Sequence, residues 1–412
     1  MTRRKTRFVC VSDTHAYTPS EAGFKLPKGD VLIHAGDLTN RGTKDELKKT
    51  MDWIAAADFE VKIVICGNHD ITLDVPFYAA RSSNFHRPTP ENPSECLSTI
   101  TSASPSILFL KHESALVRLQ KPGGPNTIFK VFGSPYSRHN GNWAFLYEPD
   151  EAEGLWNDIP LDVDVVVTHG PPRTESICAG KGCEALKRRL GLVRPCLAVC
   201  GHVHGGRGYE RVRWGDGETG KAEIEEVEQE HVVQGVLPPQ GSKKQSLVDL
   251  TGKRAPRLDN NGLHHGSARL FSSPSSSFQT TTNAVIFPSQ SKGHNKAVDY
   301  DKAQSQAPML PYTSSTRSDS ELNLDFKAEP KSLLQGSELE PEAASEQPQF
   351  KPHSQSQAET ETQTLNGIQR RETCLVNAAI AATNWPHPGG RRFHPGPIVV
   401  DLELPVWNED TS

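Results

Sequence analysis

Five short apolar runs in this chain each end in residue types that bind metal ions. Phe8 to Val11 precedes Asp13-Thr-His15, Val31 to Ile33 precedes Gly36-Asp37, and Val61 to Cys66 precedes Gly67-Asn68-His69-Asp70. Val165 to Val167 precedes His169-Gly170, and Leu197 to Cys200 precedes Gly201-His202-Val203-His204. The clusters offer the carboxylates of Asp13 and Asp37, the amide of Asn68 and the imidazoles of His15, His169, His202 and His204, with His69 beside them. Oxygen and imidazole donors in that mixture suit two divalent cations, with one carboxylate able to bridge them.

Apolar runs of that length bounded by polar turns read as strands buried on both faces. The carboxyl ends of such strands are where an open α/β sheet gathers its chemistry. A lone Asp-x-His or Gly-His-x-His is a weak signal, whereas five blocks in order are a strong one. This ordered set resembles the calcineurin-like metallophosphoesterases, whose signature runs D-x-H, G-D, G-N-H-D/E, a lone His with Gly, and G-H-x-H. Thr168-His-Gly-Pro-Pro172, Gly133-Ser-Pro-Tyr136 and Asn140-Gly-Asn-Trp143 make the chain similar, within that superfamily, to the small brain-type metallophosphoesterase-domain phosphodiesterases.

The resemblance implies an α/β fold, a four-layer αββα sandwich of two mixed sheets. It also implies a dimetal-dependent phosphoric ester hydrolase, a phosphodiesterase on nucleotide-like substrates that uses a metal-bridging hydroxide. In that pattern Asp13, His15, Asp37 and His204 hold the first ion, and Asp37, Asn68, His169 and His202 the second. Manganese is the expected metal, with iron, zinc or magnesium as alternatives. His69 serves the leaving oxygen and Asp70 steadies its loop, while Arg138, His139 and Asn140 line the substrate pocket. Arg41 falls where phosphoprotein phosphatases carry a phosphate-clamping arginine, although Asn40 and Cys66 depart from their pattern. Some related members carry Gly at the position of His202, so its presence here favours turnover. Phosphomonoesterase or phosphoprotein phosphatase activity is the rival enzymatic reading, and a nucleotide-binding scaffold without turnover is a third.

Composition sets outer bounds. The chain has 412 residues, of which 35% are hydrophobic, and a mean hydropathy of −0.55, low for a wholly globular protein. A net charge of −5 gives no reason to expect nucleic-acid or membrane binding. No apolar stretch approaches the ~20 residues of a membrane span. The basic start, Thr2 to Arg7, has no apolar region or cleavage site, so a cytoplasmic location is expected. Cys10 and Cys66 lie in strand-like runs, which suits free thiols in a reducing compartment. The Cys178/Cys183 and Cys196/Cys200 spacings are wide for a zinc knuckle.

The elements that must position the clusters are partly legible. Thr43-Lys-Asp-Glu46 is a capping box, followed by Leu47, Met51, Ile54 and Ala55 at helical spacing. A second helix is expected from Glu151 through Ile159, and residues 80–106, rich in Ser, Pro and Asn, read as a long surface loop. His34 reads as a core histidine, His86 and His112 as surface ones. Residues 1–239 form the main part of the catalytic domain. Residues 240–370 read as a low-complexity, disordered insertion whose apolar patches, Ala284–Phe287 and Leu322–Phe326, are candidate protein-binding motifs. Residues 371–412, with Cys374-Leu-Val-Asn377 and Pro397 to Pro405, supply C-terminal strands that complete the domain. A long insertion is tolerable because loop-closure cost grows only logarithmically with length.

Overall fold

The computed structural model describes residues 2–215, 229–238, 242, 244–260, 280–281, 284–287, 370–383 and 390–407. The chain begins with strands β1 (Arg3–Val11) and β2 (Val31–Ala35), helix α1 (Lys44–Ala56), strand β3 (Val61–Ile65), helices α2 (Val75–Phe85) and α3 (Pro93–Thr101), and strand β4 (Ile107–Phe109). β1 to β4 pair in parallel, as long crossover connections allow, through residues 12–30 between β1 and β2 and through helices thereafter. Then come β5 (Glu113–Arg118), β6 (Ile128–Ser134), the short pair β7 (Ser137–Arg138) and β8 (Leu146–Tyr147), helix α4 (Ala152–Trp156), β9 (Val165–Thr168), α5 (Glu184–Val193) and β10 (Leu197–Cys200). β11 (Gly208–Trp214), β12 (Gln229–Gln234), β13 (Ser246–Asp249), β14 (Thr280–Thr281), β15 (Ala284–Phe287), β16 (Glu372–Asn377) and β17 (Ile398–Pro405) follow.

These strands make two mixed sheets, ordered β13-β17-β1-β2-β3-β4 and β12-β11-β16-β10-β9-β6-β5-β15-β14. Alternation along each strand builds the layers. Phe8 and Cys10 of β1, Val31 and Ile33 of β2, and Val165 and Val167 of β9 share the core between the sheets, where Phe8 meets Phe129 edge to face at 5.4 Å. Val9, Val11 and Leu32 turn the other way, onto Leu47, Met51 and Ile54 of α1 and Cys96 and Ile100 of α3. Val166 and Ala198 turn outward from the second sheet onto Leu155 and Trp156 of α4 and Leu186 and Leu190 of α5. The result is the expected four-layer αββα sandwich. The Thr43 capping box forms as read, its hydroxyl accepting from Glu46 N. No helix among the described residues is long and apolar enough to cross a membrane.

Three expectations need correction. Residues 80–106 are not a loop, because α2 and α3 cover most of them. Asp74 accepts from Phe77 N, Asn92 accepts from Ser94 N and Glu95 N, and each helix has a proline in its first turn. The polar residues that read as loop formers are N-caps. His86 and His112 are not surface residues: His86 bridges the Tyr78 hydroxyl and the Arg41 carbonyl, and His112 lies between Ser134 and Asp158.

The boundary at residue 240 also falls too early. β13 pairs in parallel with β17, Val248, Leu250 and Leu258 join the core between the sheets, and Asn260 donates to the Arg194 and Glu372 carbonyls. A four-residue strand between polar turns is too short for its alternation to stand out. β15 runs antiparallel along β5. The rest of 240–370, Leu322–Phe326 included, lies outside the described residues. β16 sits between β11 and β10, and β17 between β13 and β1, where Arg7 grips the Asp401 carboxylate with two hydrogen bonds of 2.6 and 2.7 Å.

A charge placed at Val248 tests the corrected boundary. Val248→Asp would bury a carboxylate in an apolar layer and should lower unfolding stability by about 3 kcal/mol or more, read as the urea midpoint. Ending the chain at residue 369 should leave no soluble folded protein, since each sheet then loses an interior strand. An unchanged midpoint for Val248→Asp would place β13 outside the cooperative core.

Candidate metal centre

All the metal-binding residue types leave the carboxyl ends of adjacent strands: Asp13 and His15 after β1, Asp37 after β2, Asn68 after β3, His169 after β9, and His202 and His204 after β10. Backbone bonds join these ends: Ile380 N, beyond β16, donates across to Ser12 O of the other sheet, while Ala378 N donates to Cys200 O and Gly201 N to His169 O within the second sheet. Asp13, His15, Asp37 and His202 all have positive φ, between 47° and 66°. Four non-glycine residues in the left-handed region within one site is local strain that the surrounding bonds must hold. Close approach explains two glycines: a Cβ on Gly67 would lie 2.3 Å from Asp37 Oδ1, and one on Gly201 2.0 Å from Ser12 Oγ.

Candidate ligand atoms of Asp13, His15, Asp37 and His204 all lie within 4.8 Å of one another. His15 Nε2 is 3.2 Å from His204 Nε2 and 3.8 Å from Asp37 Oδ2, and His204 Nε2 is 3.3 Å from Asp13 Oδ1. On the other side of Asp37, His169 Nε2 is 3.3 Å from Asp37 Oδ1 and 3.0 Å from Asn68 Oδ1, which His202 Nδ1 approaches to 2.8 Å.

Tautomers follow from the partners. His15, His169 and His204 each set Nδ1 against a backbone carbonyl, of Thr39, Ala35 and Thr383, at 3.2, 2.9 and 2.8 Å. A carbonyl only accepts, so Nδ1 carries the hydrogen and the Nε2 lone pair of the neutral ring turns inward. Backbone support of this kind orients metal-ligating histidines. Nε2 lone pairs and carboxylate oxygens then face one another across 3 to 4 Å, an arrangement that cations stabilise, so the residues present fit two divalent ions.

Charge balance agrees. Burial alone would raise the Asp13 carboxyl, but the hydrogen bond and charge of His204 hold it at about 2. Burial opposes ionisation of Asp37 as well, yet the charges of His169 and His69 keep it well below the usual range. Burial would lower His169, but Asp37 beside it lifts it to about 9. His15 and His202 are pushed down by burial to about 3 and 4, as neutral ligands require.

His69 stands beside this cluster. Its backbone N–H donates to Asp37 Oδ1 at 2.9 Å, its Nδ1 donates to Asn40 O at 2.8 Å, and its ring lies 4.0 Å from Trp143 at 30°. Asp70 is fully buried and absent from the cavity wall. It accepts from Leu38 N, Thr39 N, the Thr39 hydroxyl and Gly67 N. These bonds join the loop after β2 to the loop after β3.

A cavity of about 650 Å³ opens over the cluster, lined by Asp37, Asn68, His69, His202 and His204 together with Arg138, His139 and Asn140. Arg41 is not in that wall: it is exposed, and its backbone is engaged by Glu46 and His86. Trp143, Tyr147, Lys181 and Cys183 also line the cavity. No ligand-like spacing marks them in the sequence; only the Gly180-Lys-Gly182 turn hints that a backbone comes close. Cys178, Cys183, Cys196 and Cys200 are buried free thiols.

Comparison with known proteins completes the picture. A sequence profile of the calcineurin-like phosphoesterases matches residues 6–206. "Probable rhamnogalacturonate lyase C" of Emericella nidulans is 40% identical over 219 residues, covering 52% of this chain but 19% of that protein. "Metallophosphoesterase domain-containing protein 1" of Homo sapiens is 37% identical over 217 residues, 49% of this chain and 62% of that one. This chain thus spans less than two thirds of either relative. "UPF0046 protein C25E10.12" of Caenorhabditis elegans is 30% identical over 214 residues, 48% of this chain and 69% of that protein. With five ligand blocks in order, closed around one cavity by the fold, this chain belongs to the calcineurin-like phosphoesterase family.

Proposed function

We propose that the protein is a metal-dependent phosphoesterase, and more narrowly a phosphodiesterase acting on nucleotide-like substrates with manganese as the preferred metal. The observation that carries this is Asp37, a buried carboxylate placed between two sets of donors. Asp13, His15, Asp37 and His204 would hold one ion, and Asp37, Asn68, His169 and His202 the other. When bound, such ions neutralise the phosphoryl oxygens and acidify the attacking water. His69 keeps its Nδ1 hydrogen on Asn40 O, so in the imidazolium, which carries a hydrogen on each nitrogen, Nε2 is the atom that passes a proton to the departing oxygen and leaves the neutral Nδ1–H ring behind.

The cavity favours a diester. Arg138 is the one arginine among the described residues in its wall, and a monoester dianion calls for more bidentate partners. Trp143 and Tyr147 offer aromatic faces for a base, Arg138 and Lys181 offer positive charge, and about 650 Å³ accommodates a nucleotide. The manganese-loaded protein should hydrolyse aryl phosphodiesters and cyclic nucleotides faster than phosphoserine peptides. A preference for phosphopeptides that depends on Arg41 would replace this reading with the phosphatase, and binding of mononucleotides with no ester hydrolysed would replace it with the scaffold.

Three substitutions separate the roles. Asp37→Asn should abolish turnover and lower metal content at both sites. His69→Ala should keep its metals and lose about 10²- to 10⁴-fold in kcat, the usual contribution of a general acid. If metal analysis finds His69→Ala as empty as Asp37→Asn, His69 is a ligand instead. His202→Gly should lose metal from the Asn68 side only and fall by orders of magnitude in turnover while still binding mononucleotide.

Saturating metal should also raise the melting temperature. At 100 times Kd the gain is about 2.7 kcal/mol for each site, and it should vanish in Asp37→Asn.

A further inference from the structure

We propose that Arg391 is a positioning residue that acts through Asn40 on His69. The inference rests on the proton-donor role given to His69 above. The Asn40 carbonyl fixes the His69 tautomer at 2.8 Å, and the Asn40 side-chain oxygen accepts a hydrogen bond from the Arg391 guanidinium. One residue thus holds His69 with its backbone and is itself held by its side chain.

Arg391 gives Asn40 its side-chain hold. Asn40 lies at the tip of the loop after β2, half-buried, between Thr39, which Asp70 grips, and Arg41, which is exposed. Past Asn40 the peptide is steadied by Arg41 N donating to Glu46 Oε2 at 2.9 Å, by His86 Nε2 on the Arg41 carbonyl and by Gly42 N donating to the Thr39 hydroxyl. Arg391 itself is well placed to serve. Its guanidinium lies 5.5 Å from the centre of the Tyr17 ring, and that ring packs at 4.8 Å on Phe393. Backbone bonds just after it, Ala382 N to Arg392 O and His394 N to Ile380 O, each 2.8 Å, dock this segment on the chain that leaves β16. The same stretch supplies the Thr383 carbonyl that orients His204.

An amide at position 40 accepts from Arg391 through its side chain without placing a further negative charge beside His69, and its backbone carbonyl is the group that faces the imidazole. Trp143 sets the plane of the imidazole at 4.0 Å, while the Arg391 and Asn40 pair sets which nitrogen faces the reacting ester.

The test uses the full-length protein and two readouts. In long-range proton–nitrogen spectra of histidine-labelled protein at a pH where the ring is neutral, with His69 assigned through His69→Ala, wild type should show a fixed Nδ1–H tautomer, the form left after the proton has passed from Nε2. Arg391→Ala and Asn40→Ala should each show an averaged one, and Arg391→Lys should restore much of the wild-type signal. In turnover, loss of orientation should matter most where the leaving group needs a proton. Both alanine variants should lose about tenfold in kcat on alkyl diesters, less than about threefold on aryl diesters, and little in KM, with metal content kept. The double variant should be no worse than either single one.

A fixed Nδ1–H tautomer in both alanine variants would overturn the relay, as would equal losses on alkyl and aryl esters or additive losses in the double variant. Should Arg391→Ala fail to fold, Asn40→Ala carries the same comparison. Should wild type hydrolyse no ester, the phosphoesterase reading falls, and the nitrogen spectra still decide whether Arg391 fixes His69.

Discussion

The hydrogen bonding of one loop, residues 35 to 40, is the constraint on which this site depends. Three of its carbonyls, those of Ala35, Thr39 and Asn40, receive the Nδ1 hydrogens of His169, His15 and His69. Its amides at Leu38 and Thr39 are taken by the buried carboxylate of Asp70. Asp37 lies in the middle of the same loop. One turn of backbone therefore sets the tautomer of three imidazoles from three different strands and carries the carboxylate they surround. Burial and the charge of Asp37 lift the Asp70 carboxyl to about 7, so the four donors on it are a partial counterweight to burying it.

That counterweight has something to hold. Left-handed backbone at Asp13, His15, Asp37 and His202 costs on the order of 1 to 3 kcal/mol per residue, and Asp13, Asp37 and His169 are at most 2% exposed. Such a cluster is stable only if its positive and negative partners are all present. Imidazoles supply part of the positive charge, as the raised His169 shows. Divalent ions would supply it fully while leaving every histidine neutral. The same geometry that makes the loops costly to fold therefore couples metal binding to release of the His169 proton.

Legibility in the sequence followed the length of each signal. The ligand residues were readable because each follows an apolar run buried on both faces, as Val9 and Cys10 on opposite sides of β1 illustrate. α2 and α3 were not, since the Asp74 and Asn92 caps and their first-turn prolines look the same as loop residues until the helix behind them is known. β13 was missed because four residues between polar turns carry too little alternation. Arg41 was read from a motif position, but the exposed tip of the loop turns it away from the cavity. Trp143 and Arg391 reach the site only through tertiary contacts, which no local spacing encodes.

The order of the chain adds a consequence for assembly. β16 and β17 stand far from β1 and β13 in sequence, yet each occupies an interior position in its sheet. Asn377, at the end of β16, donates to the carbonyls of Ile177 and Val203, and so fixes the loop that carries His202 and His204. Thr383 orients His204, and Arg391 reaches Asn40. The N-terminal half thus supplies the metal-binding groups, while the C-terminal segment supplies the restraints that aim them. Contacts of such sequence separation slow folding, and the restraints on the ligands are complete only in the form in which β16 and β17 are docked. Loss of either strand would therefore loosen the metal-binding groups without removing one of them.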